Sequence, residues 1–151
     1  MFRRLCIITA LLVLAGCATV QPSPQALAFS VNYSSGEPWP LIVSVKIYSD
    51  GVLTLGDGDQ QRRRRVSPTN PTFLRIMEAL RTEPFRNELG AAAVPTNEWR
   101  SSGTWIRLEQ GGTIALVKPP VSQPHLRAIL VDVNTLFKDV FGRHYQAIEM
   151  N

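Results

Sequence analysis

The sequence predicts an α+β domain: two ββα units forming one antiparallel sheet with two helices on one face. Three observations predict it. Apolar alternation marks a pair of strands around Asp50-Gly51 and another around Gly111-Gly112. A helical i, i+3, i+4, i+7 spacing follows each pair, first at Phe73, Ile76, Met77 and Leu80, then from Leu126 onward. The halves also align at a constant offset. Val45, Ile47, Gly51, Leu53 and Leu55 fall on Ile106, Leu108, Gly112, Ile114 and Leu116.

Before the first strand stands a targeting segment. Met1-Phe2-Arg3-Arg4 is basic, and Leu5 to Leu14 is apolar and uncharged. Ten helical residues rise about 15 Å, half of a hydrocarbon core of about 30 Å, so a secretory signal fits better than a membrane span. The run ends in Leu14-Ala15-Gly16-Cys17. This resembles the lipobox of bacterial lipoproteins. The resemblance implies cleavage between Gly16 and Cys17, a diacylglycerol on the Cys17 sulfur and an acyl chain on the new amine. Several chains exceed what stable anchoring needs. Ala18, where an Asp would favour retention in the inner membrane, implies the outer membrane. The competing reading is an ordinary signal peptide followed by a chance cysteine. The expected organisation is a signal peptide (1–16), a lipidated Cys17 with a flexible tether (17–28) and a single periplasmic domain (29–151). Ala18 to Ala28, rich in Pro, Gln and Ala, supplies the tether.

Each element of the domain has its own local cause. Phe29, Val31 and Tyr33 alternate with Ser30, Asn32 and Ser34, as in a half-buried strand. Ser35 to Pro40 reads as a loop, and Leu41 to Tyr48 as a strand with Val43, Val45 and Ile47 on one face. Asp50-Gly51 is a hairpin turn and Val52 to Leu55 the return strand. Gly56 to Gln61 reads as a further turn, and Arg62 to Val66 as extended chain in the connection to the first helix. Asn70 can cap that helix and Pro71 fits its first turn. Pro84 breaks or restarts it near Phe85, and Gly90 to Asn97 reads as a loop. Trp105 to Leu108 and Thr113 to Lys118 form the second hairpin. Ser122 is the expected cap of the last helix, with Pro124 in its first turn. Its apolar face is Leu126, Ile129, Leu130, Val133, Phe137, Val140 and Phe141, and Gly142 suits its stop. Tyr145, Ala147 and Ile148 belong to either a further strand or a loose tail.

The order hairpin, helix, hairpin, helix, with Tyr48-Ser49-Asp50-Gly51-Val52, resembles a group of bacterial envelope domains carrying a Tyr-x-x-Asp-Gly hairpin. The resemblance runs from Phe29 to Phe141. Those domains also carry a cysteine pair before the hairpin strand, whereas Ser35 to Leu41 has none. The group supplies no catalytic residues.

Composition narrows the function. The chain of 151 residues is 44% hydrophobic and 19% charged, which is globular. Its two cysteines exclude a disulfide-rich scaffold and a four-cysteine zinc site. The formal charge is +4, but without Arg3, Arg4 and the run Arg62 to Arg65 the remainder is acidic. The basic character is therefore local, and nucleic-acid binding is not expected.

Arg62, Arg63, Arg64 and Arg65 form the most unusual local feature. In extended chain they alternate between faces, so they do not all serve one flat site. They read either as a clamp for phosphate, lipopolysaccharide headgroups or an acidic protein, or as charges that keep a sheet edge from pairing. Asp57-Gly58-Asp59 reads as a turn, because a calcium loop needs more oxygen ligands than Gln60, Gln61 and Arg62 supply. His125 and His144 fit no metal or triad pattern. Glu78, Glu83 and Glu88 read as surface residues. Trp39 and Trp99, in loops, are candidate interface anchors, or they close the edge of the core. Trp105, in a strand, either packs on the core or stands outward.

The expected function is that of a non-enzymatic protein-binding lipoprotein, with no cofactor, facing the periplasm. Its membrane contact is the lipid on Cys17, and its candidate contacts with a protein are Arg62 to Arg65, Trp39 and Trp99. An immunity or inhibitor protein against an envelope-targeting hydrolase is one concrete version. Alternatives are an accessory of envelope assembly or maintenance, and a binder of anionic lipid or lipopolysaccharide.

Overall fold

The computed structural model describes residues 26–35, 41–58, 60–94 and 105–142. Six strands form one sheet: β1 (Leu27–Ser35), β2 (Leu41–Tyr48), β3 (Val52–Asp57), β4 (Gln60–Arg65), β5 (Trp105–Gln110) and β6 (Thr113–Val117). Their order is β4-β3-β2-β1-β5-β6, and every neighbouring pair is antiparallel. Three helices accompany it: α1 (Pro71–Ala79), α2 (Glu83–Ala91) and α3 (Pro124–Phe141). The predicted α+β class is thus what the protein adopts.

The apolar alternation decides which sheet face meets the helices. Phe29, Val31, Val45, Ile47, Leu53, Ile106, Leu108 and Ala115 lie on one face, each nearly inaccessible or fully buried. They form one core with Phe73 and Ile76 of α1, Phe85 and Leu89 of α2, and Leu126, Ile129, Leu130, Val133, Leu136 and Phe137 of α3. Burying each large apolar side chain contributes roughly 1.5–3 kcal/mol, so this face outweighs any surface interaction in the molecule. Phe85 sits edge-on to Phe29, with ring centroids 6.0 Å apart, and joins α2 to the centre of the sheet.

Several expectations change against this frame. The two ββα units are present, but β1 lies between them and pairs with both β2 and β5. The first unit gains a strand, β4, and a second short helix, α2. Gly90 and Ala91 belong to α2 and not to a loop. β1 begins at Leu27, two residues earlier than expected. The constant offset between the halves also fails after the turns. Ile47 pairs with Leu53, whereas Leu108 pairs with Ala115, one residue farther on. A one-residue change in a hairpin turns every following side chain to the other face. Ala115 and Val117 therefore take the core positions of Leu53 and Leu55, and Ile114 and Leu116 point away from the helices.

All three helix starts carry Pro within the first turn, but α1 and α3 are capped differently. The Asn70 side chain accepts the Phe73 N–H at 3.0 Å, as the sequence predicts for α1. Ser122 does not cap α3; its N-cap is Gln123, without a side-chain cap bond. The cap comes instead from Glu88 on α2. Glu88 Oε2 accepts the N–H groups of His125 and Leu126, both at 2.9 Å. Gly142 ends α3 at φ 83°, a conformation that favours glycine. The residues from Arg143 onward lie outside the described part of the chain.

Candidate functional site

The two outer strands of a sheet leave backbone groups unpaired, and this protein treats its two edges differently. At β6 the chain leaving α2 runs alongside the strand. Ala93 bridges Ala115, the Val94 N–H donates to the Ile114 carbonyl at 2.9 Å, and the Leu116 N–H donates to the Ala92 carbonyl at 3.2 Å. At β4, among the described residues, no strand lies beyond. All six residues from Gln60 to Arg65 are exposed.

β4 is a strand because β3 templates it, not because of its own composition. Straight-chain cations have no strong preference for extended backbone. Its register on β3 runs from Asp57 opposite Gln60 to Val52 opposite Arg65, and the Val66 N–H continues it to the Gly51 carbonyl at 2.9 Å. The Gly51 position tolerates no larger residue, because its φ is 81° and a Cβ there would lie 2.9 Å from the Val66 carbonyl oxygen. Asp50 then ties the turn to the strand end. Its carboxylate accepts the Val52 N–H at 3.2 Å and pairs with the Arg65 guanidinium at 3.0 Å. The expectation of extended chain at Arg62 to Arg65 is met, but as an edge strand of the sheet and not as a connection.

The register also fixes the faces. Arg62 and Arg64 stand opposite Leu55 and Leu53 and share the helix side of the sheet. Arg63 and Arg65 stand opposite Thr54 and Val52 and share the other side. Among the described residues neither Arg62 nor Arg64 is ion-paired. Arg64 donates to the Arg63 carbonyl at 3.1 Å.

The sheet face away from the helices is largely polar. Across its middle run Arg63, Thr54, Lys46, Ser30 and Glu109, each opposite the next. Arg107 pairs with Glu109 on the same face at 3.5 Å. Trp105 stands outward on this face, half-buried and opposite Ser34.

The remaining candidates separate. Trp39, Trp99, Gly16, Cys17 and His144 lie outside the described residues. His125 sits at the start of α3, where its Nδ1 lies 2.7 Å from Glu88 Oε1. Glu88 is not a surface residue in the sense expected, with its side chain 18% exposed. Partial burial pushes its carboxyl up. The hydrogen bonds from the His125 ring and from the Leu126 and His125 N–H groups, with the attraction of His125, outweigh that and leave it below the ordinary glutamate range. This pair is a structural joint between α2 and α3. Among the described residues, no group of three or more His, Cys, Asp and Glu side chains is placed to hold a metal ion, and no helix is long and apolar enough to cross a membrane. Comparison with known proteins finds no matching family model, no matching curated protein and no matching solved structure.

Proposed function

We propose that this protein is a lipid-anchored, non-enzymatic binding module of the bacterial envelope, and that β4 is the surface with which it grips an acidic protein. The observation that carries the binding reading is the exposed basic edge, with four consecutive arginines on a strand that no other covers among the described residues. Guanidinium groups present planar forks that match carboxylates two bonds at a time. The anchor rests on the lipobox ending at Cys17 and the short tether behind it. The anchored domain sits at the outer membrane and faces the periplasm. An inhibitor of an envelope-targeting hydrolase fits this description, because blocking an enzyme needs a grip and no chemistry. A planar membrane fits β4 less well, since the arginines divide between two faces of the sheet.

Capture tests the reading. The full chain, extracted in detergent, is immobilised and exposed to envelope proteins beside a variant with Arg62 to Arg65 each changed to Ser. The expected result is an acidic protein retained in stoichiometric amount, released by salt and lost on the variant. Identical retention on both columns would remove β4 from the function. Incorporation of labelled palmitate into the wild type but not into Cys17→Ser checks the anchor.

A further inference from the structure

We infer that recognition at β4 is one-sided: Arg62 and Arg64, on the helix side of the sheet, make the contact, and they take two carboxylates that the partner presents about 7 Å apart. The inference rests on the binding reading above and specifies which arginines serve it and what they recognise. The four side chains are not equivalent. Arg63 and Arg65 share the other side of the sheet, and both are engaged within the molecule. The Arg65 guanidinium donates to the Asp50 carboxylate at 3.0 Å and to the Asp50 carbonyl at 3.3 Å. An incoming acid on that side has to displace a carboxylate of its own sign.

Arg62 and Arg64 face no such competitor. Among the described residues neither is ion-paired, and both are exposed. Arg64 donates once to the Arg63 carbonyl, at 3.1 Å, and a guanidinium has five N–H groups. The two stand opposite Leu55 and Leu53, which belong to the core. A charged bond formed beside that apolar row is weakened less by water than one in open solvent. Spacing then sets the ligand. Residues two apart on a strand lie about 7 Å apart and project to one side. The matching partner is an extended acidic segment with Asp or Glu at i and i+2. Adjacent acids in such a segment point to opposite sides, so only one of them meets the pair. Each guanidinium can take its carboxylate through two parallel bonds.

The test removes equal charge from the two sides. The full chain in detergent is compared with Arg62→Gln/Arg64→Gln and with Arg63→Gln/Arg65→Gln. The probe is a synthetic peptide with glutamate at alternate positions of a threonine background, and a parallel experiment offers phosphatidylglycerol vesicles. The helix-side variant should bind the peptide at least about fivefold more weakly, and the other variant less than about twofold. In the unsubstituted chain, the peptide should shift the guanidinium nitrogen signals of Arg62 and Arg64 and leave those of Arg63 and Arg65 in place. Equal losses in the two variants, or a larger loss for Arg63 and Arg65, would overturn the one-sided contact and leave β4 as the binding surface. Peptide binding that neither variant weakens, binding to vesicles alone, or no binding at all would overturn both.

Discussion

The two edges of this sheet solve one problem in different ways. β6 is covered by its own chain, with Ala92, Ala93 and Val94 filling part of its backbone edge. Among the described residues no strand covers β4, which is lined with arginine. A backbone cover closes an edge to every partner. Charge closes it only to partners of the same sign, so it works as a filter. The difference assigns stability to the covered edge, and the proposed function assigns recognition to the other. It also follows the chain: α2, which supplies the cover, is anchored in the core by Phe85 and Leu89, whereas β4 contributes no side chain to the core cluster.

The largest predicted effect breaks the covered edge. Phe85→Ala empties a fully buried site against Phe29 and should cost about 3–5 kcal/mol in urea unfolding. It should also speed exchange at the Leu116 amide, because the cover hangs from α2. A smaller effect is expected at the joint between α2 and α3. Glu88→Ala leaves the His125 and Leu126 N–H groups without their carboxylate and should cost about 1–2 kcal/mol near neutral pH. The Glu88 carboxyl is held below its ordinary value in the folded protein, so its contribution is fully present above pH 4.5. It is lost as pH falls through the lower folded value, and wild type and variant should then converge in denaturant midpoint. The smallest effect on stability belongs to the open edge. Replacing Arg62 to Arg65 with Thr should change monomer stability by less than about 1 kcal/mol, since exposed ion pairs such as Arg65–Asp50 contribute little. The same variant should self-associate on size-exclusion chromatography, because the filter is gone and Thr favours strands. A variant that stays monomeric would show that the arginines do not guard this edge.

What the sequence made legible was local. Alternation at Phe29, Val31, Val43, Val45 and Ile47, helical spacing at Phe73, Ile76 and Leu80, and the Asn70 cap depend on neighbours a few residues away. What it did not reveal was set by distant contact. Glu88 caps a helix that begins far along the chain, and nothing near Gln123 signals it. The extra residue in the second hairpin was hidden by the apolar pattern Ile114, Leu116, which imitates Leu53, Leu55 on the wrong face. The arginine run was visible as a feature and its extended backbone was foreseen. A sheet edge was one of the two readings of the run; its pairing with β3 was not legible, because β3 imposes it. Asp50 likewise read only as a turn residue, and its pairing with Arg65 emerges once β4 lies beside the turn.

The contrast between the edges is tested most directly by native-state hydrogen exchange, residue by residue, on the unliganded full chain. Slow exchange is expected at Leu116 and Val94, which donate within the cover of β6. Alternation is expected along β4, slow at Arg62, Arg64 and Val66 and fast at Gln61 and Arg65. Uniform protection along β4 would mean that this edge is covered too and that the two edges are alike.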